Sequence, residues 1–243
     1  MRAFITGCNG GLGREILKRF ISLGYDTIGC FRTEDSEFIN KIEALTKSND
    51  VSFERFRFNF NSEQGLNDCC EFINNYDHNI DVLVNCAGIN IMKPLFYTDL
   101  EDLQTIFMIN YFAPVMITKA VANKMMMQGS GSIINISSIG SLGEQPGGTC
   151  YDASKAALNQ FTKTIAQELA PFNIRANAIA PGSVNTTMFQ NFSEKIKKNQ
   201  IRNIALKRPA ETAEIADLIE FLSSDRASFI TGQIIRIDGG SII

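Results

Sequence analysis

Short apolar runs alternate with helical patterns along almost the whole chain. Several runs are continuously apolar, as is typical of strands that are buried on both faces of a parallel sheet. The pattern predicts strands at residues 2–6, 27–31, 53–59, 82–85, 132–137, 175–180 and 234–238. It predicts helices at residues 12–23, 62–76, 99–127, 152–170 and 212–223. Thr98 and Glu101 predict a capping box at the start of the third of these helices.

This alternation predicts an α/β fold, with a doubly wound parallel sheet of about seven strands and helices on both faces. No repeat, low-complexity tract or linker interrupts it in 243 residues, so we expect a single domain spanning residues 1–243. Residues 186–209 depart from the pattern because they are polar and rich in Asn, Gln and Lys. Their position after Pro181-Gly182 favours a mobile lid over a site, and a solvated pair of surface helices is the alternative.

Composition and charge narrow the possible partners. A net charge of −3 offers no electrostatic footprint for nucleic acid. No uninterrupted apolar run approaches the roughly 20 residues that span a bilayer, so we expect no membrane partner. The chain enters its first predicted strand at residue 2, which leaves no room for a signal peptide.

The cysteines and the one histidine limit the chemistry further. None of the six cysteines forms a Cys-x-x-Cys pair, and Cys69 and Cys70 are adjacent, so neither a zinc site nor a disulfide framework is indicated. Reduced thiols in a cytoplasmic protein are the better interpretation. The single histidine, His78, argues against Ser-His-Asp hydrolysis and histidine-rich metal sites, and we predict no metal.

A tyrosine and a lysine four residues apart carry the clearest chemical signal. Tyr151 and Lys155 share one face of a predicted helix, and Ser138 lies thirteen residues before the tyrosine. A nearby cation lowers the pKa of a phenol, which is otherwise about 10. A phenol tuned in this way can exchange a proton near neutral pH, as carbonyl chemistry requires.

A glycine-rich stretch, Thr6-Gly-Cys-Asn-Gly-Gly-Leu-Gly13, follows the first predicted strand and opens the first helix. Glycines at such a turn let backbone N–H groups approach a pyrophosphate at the helix N-terminus. The position between a strand and an amphipathic helix makes this a strong signal for a Rossmann-type dinucleotide site.

Together these motifs resemble the short-chain dehydrogenase/reductase family over the whole chain. The matching motifs are Thr6-Gly7-x-x-x-Gly11-x-Gly13, Asn85-Cys86-Ala87-Gly88, Asn110, Ser138, Tyr151-x-x-x-Lys155 and Pro181-Gly182. The length favours the compact, single-domain branch. The pattern is similar to 3-oxoacyl-[acyl-carrier-protein] reductases, and equally to sugar, polyol and steroid reductases.

The resemblance implies roles for four side chains in hydride transfer between a nicotinamide cofactor and a carbonyl or alcohol. Tyr151 would be the general acid or base, and Lys155 would lower its pKa and bind the nicotinamide ribose. Ser138 would hold the substrate oxygen, and Asn110 would anchor a water that links Lys155 to solvent.

The resemblance also implies a set of cofactor contacts, in which Asn59 replaces the Asp that many relatives carry beside the adenine. The set is Thr6, Gly7, Asn9, Gly11, Leu12, Gly13, Arg32, Asn59, Asn85, Ala87, Gly88, Tyr151, Lys155, Pro181, Gly182, Val184 and Thr186. Phe31 occupies the position where an acidic residue would favour NAD. Arg32 follows it and suits a 2′-phosphate, so NADP is favoured, while Glu34 and Asp35 leave NAD open.

Substrate contacts are expected from Ser138, Gln145 and Tyr151, but they select no single carbonyl compound. A basic patch of Lys195, Lys197, Lys198 and Arg202 would suit an acyl carrier protein, or is simply a solvated helix face. The resemblance implies a homotetramer, with the helices at 99–127 and 152–170 in an interface. A nucleotide-sensing protein on the same fold is the alternative from another class, although such proteins typically lose one of the catalytic side chains. A sugar-nucleotide epimerase or dehydratase would need a larger substrate domain.

Overall fold

The computed structural model describes residues 1–33 and 35–242, and its described residues contain one sheet of seven parallel strands. The sheet confirms the predicted fold class, and its strand order is β3-β2-β1-β4-β5-β6-β7. The strands are β1 (Arg2–Thr6), β2 (Asp26–Phe31), β3 (Phe53–Arg57), β4 (Val82–Asn85), β5 (Gly131–Ile136), β6 (Ile174–Pro181) and β7 (Ile234–Ile237). Each predicted strand is present, with bounds that differ by two residues or fewer.

Helices cover both faces of the sheet. They are α1 (Gly11–Ser22), α2 (Ser36–Asn49), α3 (Glu63–Asn75), α4 (Leu100–Phe107), α5 (Ala113–Gln128), α6 (Thr149–Leu169), α7 (Thr187–Gln190), α8 (Glu194–Arg202) and α9 (Thr212–Ser223). Apolar side chains of α1, α2 and α9 form one hydrophobic core with one face of the sheet. Side chains of α3, α5 and α6 form a second core on the other face. Buried strands between two helical layers explain the continuous apolar runs.

Helix α2 and the cap of α4 both differ from the sequence prediction. Helix α2 was not predicted; it begins where the Asp35 side chain accepts a hydrogen bond from Phe38 N at 3.1 Å. The capping box before α4 is formed by Asp99 and Asp102, so the prediction of Thr98 and Glu101 was wrong by one residue. Asp99 accepts from the Asp102 backbone, and Asp102 reaches back to the Asp99 N–H, because an aspartate serves as well as a threonine at the cap.

The predicted helix at 99–127 is interrupted by a turn of π-helix at Met108–Phe112. Pro114 has no N–H to donate to the Asn110 carbonyl, which favours a widened turn at this point. The segment Leu100–Gln128 is long and apolar enough to pass a length-and-composition test for a membrane span. Half of the apolar window is buried, with Ile117, Val121 and Met125 in the second core, as in a core helix of a globular domain.

The strand order reverses between β1 and β4. Connections from β1 run outward to β2 and β3, and connections from β4 run the other way to β5, β6 and β7. A crevice opens at such a switch point, outside the carboxyl ends of the strands, and is where ligands bind in open α/β sheets. The predicted site residues all lie at or near this edge.

Candidate active site

The glycine-rich turn joins β1 to α1 at the switch point. Thr6 Oγ1 accepts hydrogen bonds from the backbone N–H groups of Cys86 and Ala87, both at 3.0 Å, which ties the end of β1 to the end of β4. Gly7 has a φ of +76°, and a Cβ there would lie 2.7 Å from Ala87 Cα. A side chain at this position would therefore be strained and would collide with the neighbouring strand end.

The start of α1 fits a bound pyrophosphate. Gly10 is the N-cap and supplies no side-chain acceptor, so the first N–H groups of α1 have no capping partner. A Cβ on Gly13 would overlap the Gly7 carbonyl, so the helix approaches the turn closely only because residue 13 is glycine. These N–H groups and the helix dipole favour an anion.

The Asn9 side chain holds the glycine-rich turn against the loop after β2. Its Oδ1 accepts from Arg32 N at 2.7 Å, and its Nδ2 donates to the Thr33 carbonyl at 2.6 Å. The Arg32 side chain is exposed and makes no hydrogen bond or ion pair with the described residues. Phe31 is buried, so the position at which an acidic residue would meet a ribose is directed into the core.

Two carboxylates that follow Arg32 in the sequence, Glu34 and Asp35, leave NAD possible as the cofactor. Glu34 lies outside the described residues. Asp35 caps α2 and also pairs with Arg14, with 2.5 Å between the Arg14 Nη2 and Asp35 Oδ2 atoms. These two bonds hold the pKa of the Asp35 carboxyl below its usual value, the cap N–H of Phe38 being the larger cause. The Asp35 carboxylate is therefore already engaged within the fold.

Lys155, Asn110 and Gly88 converge at the carboxyl end of β4. A Cβ on Gly88 would lie 3.4 Å from both Lys155 Nζ and Asn110 Oδ1. Lys155 is 4% exposed and donates to the Ile136 carbonyl at 2.8 Å. Its ammonium lies 6.0 Å from the centre of the Tyr151 ring, so the structure brings the tyrosine and lysine together on α6.

Asn110 reaches this cluster from the π turn. Its Oδ1 accepts from Ile89 N at 2.9 Å, and its Nδ2 donates to the Ile89 carbonyl at 3.0 Å and to Ser154 Oγ at 3.1 Å. The side chain is fully buried. A π turn is often found at a functional site because it redirects one residue out of the regular helical positions.

Burial shifts the pKa values of the paired groups in opposite directions. It lowers the pKa of Lys155 to about 8, because the ammonium has been removed from water. It raises the pKa of Tyr151, an effect partly offset by the Ser138 hydroxyl and reinforced by the charge of Asp152. Lys155 is not among the causes of this shift, and the lowering of the pKa of Tyr151 by Lys155 stays a prediction.

Ser138 lies at the end of β5 and starts a short turn of 3-10 helix, Ile139–Leu142. Its Oγ accepts from Gly140 N at 3.2 Å. Gln145 is exposed on the next turn, and its Oε1 lies 3.3 Å from the position that a Cβ on Gly140 would occupy. Ser138, Gln145 and Tyr151 therefore surround the same small region.

Asn85 and Asn59 are placed differently from the other predicted cofactor contacts. Asn85 is 2% exposed, and its Nδ2 donates to Asn135 Oδ1 at 2.8 Å and to Thr118 Oγ1 at 3.0 Å. This amide lies beneath the crevice rather than on its surface. Asn59 is exposed after β3, and its Oδ1 accepts from Asn61 N in a turn that leads into α3.

The segment after β6 borders the crevice on the other side. Gly182 N donates to the Ile237 carbonyl at 3.0 Å, and Val184 forms a parallel bridge with Ala210. Thr186 caps α7, and its side chain lies 3.4 Å from the Cβ position of Gly11. The segment that starts at Pro181 is thus brought against the glycine-rich turn, and its contacts with a cofactor stay a prediction.

Two neighbours of the cluster were not predicted. Ser154 accepts from Asn110 and donates to the Tyr151 carbonyl at 2.7 Å. Asp152 lies beside Ser138's turn, and burial raises its pKa to about 6. Both lie within one helical turn of Tyr151, so their positions in α6 were visible in the sequence, although their partners were not.

A glycine-rich turn at the switch point, with a buried lysine, a tyrosine, a serine and an asparagine beside it, defines a nucleotide-binding oxidoreductase of the α/β class. Comparison with known proteins supports this class. The family model described as Enoyl-(Acyl carrier protein) reductase matches residues 7–241.

Curated relatives and solved structures match over nearly the full length. The chain is 34% identical over 238 residues to the 3-oxoacyl-[acyl-carrier-protein] reductase of Aquifex aeolicus, covering 98% of this chain and 96% of the relative. It is 34% identical over 244 residues to the 3alpha-hydroxysteroid dehydrogenase of Mediterraneibacter gnavus, with the same coverage. A 7 alpha-hydroxysteroid dehydrogenase complexed with NADH and 7-oxo glycochenodeoxycholic acid matches with a TM-score of 0.91 and 28% identity, covering 99% of this chain and 94% of that chain.

The chain belongs to the short-chain dehydrogenase/reductase family. It is therefore an oxidoreductase that acts on hydroxyl and keto groups with a nicotinamide cofactor. The named relatives share this type of reaction and differ in substrate.

Proposed function

We propose that the protein is an NADP-dependent reductase of a ketone or aldehyde, with Tyr151 as the proton donor. The observation that carries this proposal is the convergence of Tyr151, Lys155 and Asn110 next to the Ser138 turn. The cofactor, when bound, supplies the hydride. The residues of the chain orient the carbonyl, exclude water and supply the proton.

Each polar group has a defined part in the proposed reaction. The Ser138 hydroxyl donates to the substrate oxygen, on which negative charge develops as the carbonyl is reduced. The Tyr151 phenol transfers its proton to that oxygen. Lys155 Nζ, now held by the Ile136 carbonyl, stabilises the resulting phenolate and contacts the nicotinamide ribose. Asn110 holds the backbone of residue 89 and a water through which the proton is replaced.

The test is Tyr151→Phe, which keeps the ring and removes the proton. Turnover should fall by about 10²- to 10⁴-fold, the range for loss of a general acid, while cofactor affinity changes little. Tyr25→Phe is the matched control, because Tyr25 is 6% exposed and precedes β2, at the opposite edge of the sheet from the cluster. Unchanged turnover in Tyr151→Phe would refute the mechanism, and cofactor binding without activity across a broad carbonyl panel would favour the sensing alternative.

The preference for NADP rests on the loop after β2. Arg32 is exposed next to the glycine-rich turn, whereas the Asp35 carboxylate is bound to Arg14 and to the cap of α2. A guanidinium without a partner among the described residues suits a 2′-phosphate, and an engaged carboxylate cannot readily bind a ribose 2′-hydroxyl. The 3-oxoacyl and steroid relatives leave this choice open.

Cofactor choice is tested by titrating NADPH and NADH against Arg32→Ala. NADPH binding should weaken by about 10- to 100-fold, as expected for loss of a hydrogen bond to a charged group, with NADH binding unchanged. Arg55→Ala is the control, because Arg55 is an exposed arginine on β3 that pairs with Glu43. An unaltered preference in Arg32→Ala would contradict this assignment.

The substrate is proposed to enter beneath residues 186–209. Phe189 and Ile204 are buried at 5% and 3% exposure and anchor the two ends of this segment, whereas α8 buries none of its described side chains. Such a segment can close over a bound substrate. Trypsin cleavage at Lys195–Lys198 should slow when NADPH and substrate are both present, and an unchanged rate would favour a static surface helix.

An acyl group on an acidic carrier protein is the specific substrate class that we propose to test first. Lys195, Lys198 and Arg202 lie on α8, and Lys197 already pairs with Glu194 at 2.8 Å. A panel of 3-oxoacyl thioesters, sugars and steroids, read by NADPH absorbance, would separate the substrate classes. Faster reduction of the carrier-linked thioester than of the free thioester would support docking on α8, and equal rates would argue for a small-molecule substrate.

We also propose a homotetramer in the cytoplasm. Large apolar side chains are exposed around the start of α4 and on α5, which suggests a surface that is covered in an assembly. They are Leu95, Phe96, Tyr97, Leu100, Phe112 and Met116. All six cysteines are free thiols, as suits a reducing compartment. Light scattering should give about four times the 26.9 kDa chain mass, and a monomer at micromolar concentration would contradict it.

A further inference from the structure

Asp152, the residue after Tyr151, has a buried carboxyl oxygen with no hydrogen-bond partner among the described residues. This oxygen is Oδ1. Buried polar atoms are almost always paired, so an orphan oxygen one residue from the proton donor needs an explanation. The function proposed above does not use it.

Two glycines accommodate the carboxylate. A Cβ on Gly140 would overlap Asp152 Oδ1, and a Cβ on Gly148 would overlap Asp152 Oδ2. Each of these two Cβ–oxygen distances would be well below 3.0 Å. The carboxylate thus lies between the Ser138 turn and the turn that follows Gln145. Any larger residue at either position would have to displace it.

Backbone bonds connect the same two turns to α6. Gly140 N donates to Ser138 Oγ at 3.2 Å, and Gly148 N donates to the Gln145 carbonyl at 2.8 Å. Asp152 N in turn donates to the Gly148 carbonyl at 2.8 Å. A change at Asp152 would therefore be transmitted to both predicted substrate contacts outside α6.

The charge of the Asp152 carboxylate also affects the pKa of the Tyr151 phenol. Its negative charge is one of the causes that raise the pKa of Tyr151, and burial raises its own pKa to about 6. The Asp152 carboxyl therefore changes its charge at a higher pH than an ordinary aspartate does.

The surroundings contain few competing charges. On α6, Lys155 and the Cys150 thiol are the other titratable groups near the tyrosine. The elements packed against α6 contribute further titratable groups. Cys86 lies beside Lys155, and Lys93, paired with Asp99 and Asp102, lies near Cys150. Glu144 is exposed on the turn after Ser138. Among these groups and Asp152, only Asp152 contributes to the shift of Tyr151.

We propose that Asp152 is a positioning residue that clamps the Ser138 and Gln145 turns onto α6 and sets the pH range of proton transfer at Tyr151. This proposal rests on the proposed role of Tyr151 as the proton-transfer group. Ionised Asp152 opposes formation of the phenolate. Protonated Asp152 removes that opposition and leaves the turns in place.

The first test is the pH profile of alcohol oxidation in Asp152→Asn. In this direction Tyr151 acts as the base, so kcat/KM rises as the phenol loses its proton. Removal of the neighbouring charge should shift that rise to lower pH by up to about one unit. Glu168→Gln removes an exposed carboxylate from the same helix and should leave the profile unchanged. An unshifted profile in Asp152→Asn overturns the proposal.

A double-mutant cycle tests the clamp separately. Gly148→Ala should raise KM severalfold in the wild type, because the new methyl group displaces the carboxylate, and should raise it much less in Asp152→Ala. Additive effects on KM would overturn the clamp. Full activity of Tyr151→Phe refutes the proposed function itself, whereas an inactive Tyr151→Phe with an unshifted Asp152→Asn profile refutes this inference alone.

Discussion

The buried lysine of the active site should lower the stability of the protein that carries it. Lys155 is 4% exposed, and the one hydrogen bond described for its ammonium is donated to the Ile136 carbonyl. Burial lowers its pKa from 10.5 to about 8, so the folded chain holds the proton less tightly than the unfolded chain. We predict that Lys155→Met abolishes turnover and increases the stability of the cofactor-free protein at pH 7.

The size of the gain in stability follows from the shift in the pKa of Lys155. A fall of about 2.5 units corresponds to about 3 kcal/mol, at about 1.4 kcal/mol per unit. Loss of the hydrogen bond leaves the Ile136 carbonyl without that donor and costs about 1 to 2 kcal/mol. The net gain is therefore about 1 to 2 kcal/mol, which for a chain of this size raises Tm by about 3 to 6 °C.

The direction in which the stability changes with pH is set by proton binding to Lys155. Between pH 8 and 10.5 the unfolded chain binds more protons than the folded chain, so wild-type stability from this group rises with pH across that interval. The penalty is complete below pH 8 and absent above 10.5. The advantage of Lys155→Met should therefore shrink as the pH is raised from 7 to 10.

The assay is thermal unfolding of wild type and variant at pH 7 and pH 10, with activity measured alongside. Lys163→Met is the control, because Lys163 lies on the same helix and is exposed, so its substitution should change stability by less than about 0.5 kcal/mol. A Lys155→Met variant that is less stable than wild type at pH 7 would refute the reasoning. The same gain in stability over wild type at pH 7 and at pH 10 would also refute it.

Two further substitutions test the supports of the site. Gly13→Ala should abolish dinucleotide binding, measured by NADPH fluorescence, because the methyl group would overlap the Gly7 carbonyl. Gly10→Ala should retain binding, since its methyl would meet nothing closer than 3.6 Å, and equal loss in both would show that the close approach is unimportant. Asn85→Ala should cost about 2 to 3 kcal/mol in urea unfolding, because Asn135 Oδ1 loses its buried donor. A cost as small as that of the exposed Asn74→Ala would contradict this account.

Much of the fold was predictable because its signals are local. Several strands are buried on both faces and continuously apolar, and the alternation of short apolar runs with helical patterns located all seven strands. Helix α2 is absent from the prediction although Phe38, Ile39 and Ile42 recur at helical spacing after Asp35, so its signal is local too. The cap of α4 was placed one residue too early, because Thr98 and Asp99 are both good capping residues and only the backbone path distinguishes them.

The residues of the candidate site could be named from the sequence, but their positions, burial and hydrogen-bond partners could not. Asn110 was named from its motif, but its position depends on a π turn whose effect on side-chain direction is not visible in spacing. Asn85 was expected at the crevice and lies beneath it, because its amide is paired with Asn135 and Thr118. The orphan oxygen of Asp152 could not be foreseen, since it depends on two glycines from other turns.

The sequence by itself determined the fold class, the residue types of the site and the class of reaction. Short apolar runs and helical periodicity are properties of the local sequence, and Tyr151, Lys155 and the glycine-rich turn belong to short motifs. Only the tertiary structure decided the protonation behaviour of those residues. Burial acts through all the atoms that surround a group, and it lowers the pKa of Lys155 and raises that of Tyr151 whatever their spacing in the chain.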